Sequence, residues 1–233
     1  MQYLGGKSKI RNEIAKIIHG HLRPGQTYFE PFVGGGWVLQ EVKGRRVAAD
    51  KNAALITMYK ALQNGWAPPE DLSEGEYAAL KAAQDVADPR TAFAGVGCSF
   101  GGMWFGGYAR DKRSSRSYAA GTASSLRRQM PLIKDVLFLY GGYSDFNPSG
   151  CLIYCDPPYA GTTGYPAAGA FDSAQFWATM RRWARYNTLL ISEYAAPSDF
   201  KCIWEGVSLS GVRPGDGLKQ RYNVERLYSY AGT

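Results

Sequence analysis

The segment TYFEPFVGGGWVLQEVKGRRVAAD, residues 27–50, runs from a short apolar strand into a glycine-rich turn. An amphipathic stretch expected to be helical follows, and then a second short strand, RRVAAD, that ends on an acid. Glycines in such a turn let a ligand approach the backbone closely, and a helix N-terminus would offer free N–H groups. Asp50 comes fourteen residues after Gly36, where an acid at a strand end can take both hydroxyls of a ribose. Phe32 puts an aromatic ring beside the turn, which suits an apolar wall better than a phosphate cradle. A tight structural connection would want the same glycines, so the run alone does not decide its ligand.

Working outward, residues 8–21 carry Ile10, Ile14, Ile17 and Ile18 at helical spacing, with Ser8 placed to cap the helix. Helices are expected at about 52–63 and 73–84, and another carries Leu126, Met130 and Ile133. Strands are expected at 136–142, 150–156 and 187–194, with a helix over 171–186 capped by Asp172 or Ser173. A terminal hairpin turns at Pro214-Gly215-Asp216-Gly217. Strands alternating with helices predict an α/β fold built on a mainly parallel sheet, and the terminal hairpin adds an antiparallel edge. Between residues 64 and 130 strand signals vanish and glycine, aromatic and basic residues concentrate. This predicts two parts: a catalytic domain over 1–63 and 131–233, and a small, mostly helical recognition subdomain over 64–130.

The 233 residues, 45% of them hydrophobic, suffice for one sizeable α/β core. The apolar runs are too short for a membrane span and the N-terminus lacks an apolar signal region, so a soluble, cytoplasmic protein without membrane contact is expected. A net charge of +7 favours a polyanionic partner. Cys98, Cys151, Cys155 and Cys202 show no C-x-x-C spacing, and only His19 and His21 could help them. No metal site is expected, and the thiols read as reduced and mostly buried.

Asp156-Pro157-Pro158-Tyr159 follows the apolar strand CLIYC, at the strand end where open α/β sheets bind ligands. Two prolines fix the backbone and leave its carbonyls rigid. The Asp156 carboxylate with a backbone carbonyl offers two acceptors, matching a flat amino group with two hydrogens, and Tyr159 gives a face on which a planar base can stack. An aromatic amine is a poor nucleophile because its lone pair is delocalised. Accepting its hydrogen bonds draws the nitrogen toward a tetrahedral form and frees that pair for direct displacement. Neither a Ser-His-Asp nor a Cys-His arrangement is credible in this sequence. Other nucleotide readings fail on single positions. A dinucleotide fingerprint needs glycine where Leu39 stands, and the P-loop suggested by Gly6-Lys7-Ser8 needs one at Met1.

The order G-G-K (5–7), E-P-F-V-G-G-G (30–36), Asp50 and D-P-P-Y (156–159) resembles the Dam-like (D12 class) family of DNA N6-adenine methyltransferases. The resemblance implies a Rossmann-like class I methyltransferase fold, S-adenosylmethionine as methyl donor, and a double-stranded DNA partner whose target adenine is flipped out of the helix. By matching position it implies that Tyr3 and Lys7 flank the methionine part of the cofactor. Phe32, Gly34 and Gly36 would line the cofactor, Asp50 would hold its ribose, and Asp145 and Phe146 would abut its adenine. It assigns catalysis to Asp156, Pro157, Pro158 and Tyr159, and makes residues 223–227 (NVERL) part of the wall of the base pocket.

For nucleic-acid contact, Trp104 and Tyr108 with Arg110, Lys112, Arg113 and Arg116 interleave aromatic rings and cations, as stacking and phosphate binding require. A solvated loop beside a small aromatic cluster is the plainer reading of the same stretch. Arg181, Arg182 and Arg185 read as a solvated helix face. Residues 101–110 lack the asparagines of four-base-site relatives, so no target sequence carries over. The same chemistry on RNA or on cytosine N4, and a binding module without catalysis, are the alternatives. A protein-glutamine methyltransferase would have Asn where Asp156 stands. A solitary methylase of this size would suit a phage or mobile element.

Overall fold

The structure, a computed structural model, describes residues 1–110, 117–159, 171–209 and 222–232. The apolar runs form the strands β1 (Tyr28–Glu30), β2 (Arg46–Asp50), β3 (Leu137–Tyr140), β4 (Leu152–Cys155), β5 (Thr188–Ser192), β6 (Phe200–Leu209) and β7 (Tyr222–Tyr230). They make one sheet in the order β3-β2-β1-β4-β5-β7-β6. The first five strands are parallel, and β7 joins β5 antiparallel, inserted between it and β6. This is the Rossmann-like class I methyltransferase sheet. The strand order reverses between the parallel neighbours β1 and β4, the switch point at which open α/β sheets bind ligands. The expected hairpin tip at 214–217 lies outside the described residues.

Side chains alternate across the sheet, as a strand's period of two requires. Tyr28, Ala48, Leu152, Tyr154, Leu190 and Leu227 face one core, while Phe29, Ala49, Ile153, Cys155, Leu189, Ile191 and Tyr228 face the other. Helix α6 (Ser173–Ala184) covers the second core with Phe176, Trp177, Met180 and Trp183, and the Asp172 carboxylate caps it by accepting from Gln175 N. The first core takes α1 (Arg11–His21), α2 (Ala53–Gln63) and α5 (Tyr118–Ile133). It also runs without a break into α3 (Glu74–Ala83), α4 (Pro89–Ala92) and the π-helical turn Phe93–Gly97. Much of the 64–130 segment is thus one of the sheet's covering layers and shares its core. No helix among the described residues is long and apolar enough to cross a membrane. Cys98 and Cys155 are buried, whereas Cys202 on β6 is exposed.

Two local expectations need correction. Helix α1 begins at Arg11, after an Ile10 cap that makes no side-chain bond, so Ser8 is not the cap. Its carbonyl instead accepts from the Arg11 guanidinium. The stretch after the glycine turn is only a 3-10 turn, Leu39–Glu41. The carbonyls of Leu39 and Val42, which a continuing helix would use, accept from the buried Arg46 guanidinium, and this also takes Leu132 O at 2.7 Å. One arginine thus ends the turn and ties it to β2 and α5.

Candidate active site

Asp50, Glu30 and Asp156 stand at the C-terminal ends of the adjacent strands β2, β1 and β4. Their even numbering puts them on the same face as Tyr28, Ala48 and Tyr154. In the register Glu30 pairs with Ala48, and Phe29 with Ile153, so Asp50 and Asp156 each stand two residues beyond Glu30. Two residues of strand are about 6.6 Å. The acids therefore form a notch, with Glu30 as its buried floor and Asp50 and Asp156 as its sides. Burial pushes the Glu30 carboxyl well above its ordinary value, against the Tyr28 hydroxyl that donates to it at 2.7 Å, and the Asp156 and Asp50 charges push it further.

At Asp156 the environment is ionic. The Lys7 ammonium lies 2.8 Å from Asp156 Oδ1 and 3.7 Å from Glu225 Oε2, with side-chain exposures of 6%, 19% and 13% for the three residues. Burial alone would lower the Lys7 pKa, but the two carboxylates prevail and hold it above its ordinary value. For Asp156 burial is the larger influence and raises the pKa, against the pull of Lys7. Oδ1 is shut off from solvent yet has no aligned hydrogen bond, leaving a buried acceptor with an ammonium 2.8 Å away. The same ammonium sits 4.6 Å from the centre of the Tyr159 ring. The ring is held at its hydroxyl, which donates to Glu225 Oε2 at 2.9 Å, and Tyr194 packs edge-on with 4.6 Å between centroids. Pro157 is buried and Pro158 half-buried, fixing the chain between carboxylate and ring. Lys7 thus occupies both the acceptor and the ring that a planar amine would use.

The glycine turn is built from residues distant in sequence. Gly34 N donates to Asp50 Oδ2 and Asn52 N to Asp50 Oδ1, both at 2.9 Å. Burial raises the Asp50 pKa although backbone N–H groups oppose it. Tyr59 Oη donates to Gly34 O at 2.8 Å, and the Gln129 amide donates to Gly35 O and Gly36 O, each at 3.0 Å. A Cβ at Gly34, where φ is +45°, would come within 2.8 Å of the Tyr3 ring. Tyr3 therefore lies on this turn, and Leu4 N beside it donates to Gly102 O. Phe146 packs edge-on against Phe29, Asp145 accepts from Gly142 N, and Phe32 meets Tyr143 at 5.4 Å and Phe176 at 6.0 Å. Sequence reasoning missed Gln129, Tyr59 and Tyr143, whereas Glu225 lies in the 223–227 segment that the resemblance had placed in the wall of the base pocket.

These residues fit an adenosine-bearing sulfonium. Asp50 keeps carboxylate lone pairs for a ribose diol after taking backbone N–H groups, and Phe32, Tyr143 and Phe146 supply apolar surface at the ends of β1 and β3. The short 3-10 turn removes the helix N-terminus expected there, so no phosphate-type anion site remains at the glycines.

The expected nucleic-acid residues separate. Trp104 and Tyr108, expected to stack against DNA, are half-buried and pack against the helical layer. The Trp104 ring lies 5.0 Å from that of Phe105, and Tyr108 sits 5.5 Å from Tyr77 and donates its hydroxyl to Leu72 O at 2.6 Å. Burying their large rings in the helical layer is worth more than leaving them exposed. Arg110 is half exposed, paired with Glu74 and set 5.6 Å from the Tyr108 ring. Lys112, Arg113 and Arg116 lie outside the described residues. The ring exposed on this surface is Phe100, with Met103 and Leu4 also accessible. Arg181 is spent on Asp199 at 2.6 and 2.9 Å. A cleft of about 480 Å³ beside it, lined by Ser144, Gln175 and Thr179, includes none of the acids.

The sheet order gives the chain a Rossmann-like methyltransferase fold, with a row of acids at the strand ends. Residues 3–101 match the family model of D12 class N6 adenine-specific DNA methyltransferase. The match contains Lys7, the glycine turn and Asp50, and ends before Asp156. No curated protein matches the sequence. Among solved structures, a candidate RNA methyltransferase from Pyrococcus horikoshii is similar over 94% of this chain and 82% of its own, at 9% identity and a TM-score of 0.43. A candidate methyltransferase complexed with SAH is similar over 98% of this chain and 54% of its own, at 15% identity and a TM-score of 0.37. A precorrin-6y C5,15-methyltransferase from Geobacter metallireducens is similar over 94% and 87%, at 9% identity and a TM-score of 0.35.

Proposed function

We propose that the chain transfers a methyl group from S-adenosylmethionine to the exocyclic amino nitrogen of an adenine flipped out of duplex DNA. The observation that carries the reading is the buried Asp156 Oδ1, an acceptor without an aligned donor, beside the fixed ring of Tyr159. An arriving amine replaces the Lys7 ammonium at that oxygen, and Lys7 then faces Glu225. Asp156 accepts an amino hydrogen, concentrates the lone pair on nitrogen and stabilises the positive charge that develops there. Tyr159 supports the ring plane, while Asp50 and the aromatic wall of Phe32 and Phe146 hold the donor. The bound donor would supply an electrophilic methyl, its carbon–sulfur bond breaking to leave a thioether as the nitrogen–carbon bond forms, and the proton shed by the methylated nitrogen would pass to Asp156 or to solvent. The match to the D12 class over residues 3–101 and the net charge of +7 support adenine in DNA as the acceptor. Arg110 and the exposed Phe100 are the described residues best placed to contact DNA around the base.

The test incubates the chain with labelled S-adenosylmethionine and, separately, DNA lacking N6-methyladenine, unmodified RNA and protein, followed by nucleoside and amino-acid analysis. Label in N6-methyldeoxyadenosine is expected. Label confined to RNA or to N4-methyldeoxycytidine would overturn the choice of acceptor, and label in none of the substrates would overturn catalysis.

A further inference from the structure

The Tyr159 ring can support a base only if it is held, and the residues holding it come from outside the D-P-P-Y motif. Glu225, on β7, reaches the site because Ser192 pairs with Leu227, which brings residue 225 opposite Tyr194 just beyond the end of β5. It accepts the Tyr159 hydroxyl at 2.9 Å and lies 3.7 Å from the Lys7 ammonium. One carboxylate thus touches both groups flanking Asp156, from a strand that adds nothing else to the acid row.

We propose that Glu225 is a positioning residue for methyl transfer, anchoring the Tyr159 ring by its hydroxyl and offering Lys7 a second anion when the substrate amine takes Asp156. This rests on the function proposed above and adds to it a residue acting through Tyr159 and Lys7. Without Glu225 the tyrosine hydroxyl loses the carboxylate that accepts from it at 2.9 Å, and a displaced Lys7 loses the second of its two carboxylates, which is costly for a buried cation. With it, the exchange at Asp156 leaves no charge stranded.

The experiment compares wild type, Glu225→Ala, Glu225→Gln, Tyr159→Phe and the double variant Tyr159→Phe/Glu225→Ala. Assays use DNA free of N6-methyladenine, with cofactor affinity measured in parallel. Glu225→Ala and Tyr159→Phe should each lower kcat by about tenfold or more, the scale of one hydrogen bond to a charged group. Cofactor affinity should stay within about twofold, because neither residue lines the glycine turn. The double variant should be no worse than the worse single, since both remove one interaction. Glu225→Gln keeps an acceptor for Tyr159 and should recover most of kcat. It also removes a negative charge from a site that holds Lys7, Glu30, Tyr154, Tyr159 and Tyr194 around Asp156, so the acid limb of kcat should move to lower pH. Additive losses, a Glu225→Ala kcat within twofold of wild type, or a Glu225→Gln as poor as Ala with an unmoved acid limb would overturn the proposal. A wild type that methylates no DNA sinks the parent reading instead. The Tyr159–Glu225 coupling is then read from the melting temperatures of the four-way cycle, where additivity would overturn it.

Discussion

Replacing Asp156 with Asn tests the mechanism most directly, because the amide keeps size and one oxygen but removes the charge. Two losses can be scaled. A hydrogen bond from the amine to a carboxylate is worth about 1.5–3 kcal/mol, against about 1 for a neutral acceptor. Half a unit of positive charge developing on nitrogen some 3 Å from the carboxylate gains about 3 kcal/mol at an effective dielectric near 20. These overlap, and a combined loss of about 3–4 kcal/mol corresponds to a fall of roughly 10²–10³ in kcat. Cofactor affinity should change little, since the Asp50 end of the notch is untouched. Burial raises the Asp156 pKa, so wild-type activity should fail on the acid side at a pH above the ordinary aspartate range, and the residual activity of the variant should lack that limb. Stability runs the other way. A carboxyl with a raised folded-state pKa favours folding below its ordinary value of 3.8 and loses that contribution as pH rises through the folded value. Asn cannot ionise, so the variant escapes this loss, and the counter-cost is Lys7, left with Glu225 at 3.7 Å. The assay is single-turnover transfer with labelled cofactor across pH, with calorimetric cofactor binding. A rate within about fivefold of wild type, or an acid limb unchanged in the variant, would refute the role given to this carboxylate.

Two further outcomes follow from the same site. Gly36→Ala places a Cβ at φ +65°, 2.8 Å from Gln129 Nε2 and 3.1 Å from Tyr59 Oη. The left-handed backbone costs about 1–2 kcal/mol and the overpacking about 1–3, so the melting temperature should fall by roughly 5–15 °C. An unchanged melting curve would mean the turn is looser than its contacts imply. Glu30→Gln keeps an acceptor for Tyr28 but does not titrate. Wild type holds the stability of a neutral Glu30 at low pH and loses it as pH rises above the ordinary value of 4.5 toward the raised folded pKa, so the variant's melting temperature relative to wild type should climb as pH rises above 4.5. A pH-independent difference would show that Glu30 has the same pKa folded and unfolded, against the effect of its burial.

Much of the fold was legible because its signals are local. Apolar runs ending on Asp50 and Asp156 became β2 and β4, and the caps at Asn52, Ser73 and Asp172 sit where side-chain oxygens can take free N–H groups. Where the reading failed, a distant residue had changed the local balance. The spacing of Val38, Leu39 and Val42 suits a helix, but Arg46 takes the carbonyls that a helix needs. The contacts of Trp104 and Tyr108 with Phe105, Tyr77 and Leu72 O are likewise set by the fold and have no local signal.

The site was legible in its acids and illegible in what holds them. Asp50 and Asp156 announce themselves as strand-end carboxylates, but nothing near them in sequence says that Gln129 will grip the glycine carbonyls or that Glu225 will reach Tyr159. Both arrive by topology, Gln129 from the helix before β3 and Glu225 from a strand inserted between β5 and β6. The N-terminal segment joins these two supports. Tyr3 lies on Gly34 at the donor end, Lys7 bridges Asp156 and Glu225 at the acceptor end, and Leu4 between them bonds Gly102 in the helical layer. Three residues separate the contacts that serve the two halves of the proposed reaction. A substitution that shifts this segment would therefore disturb donor and acceptor together, whereas changes at Asp50 or Glu225 would separate them.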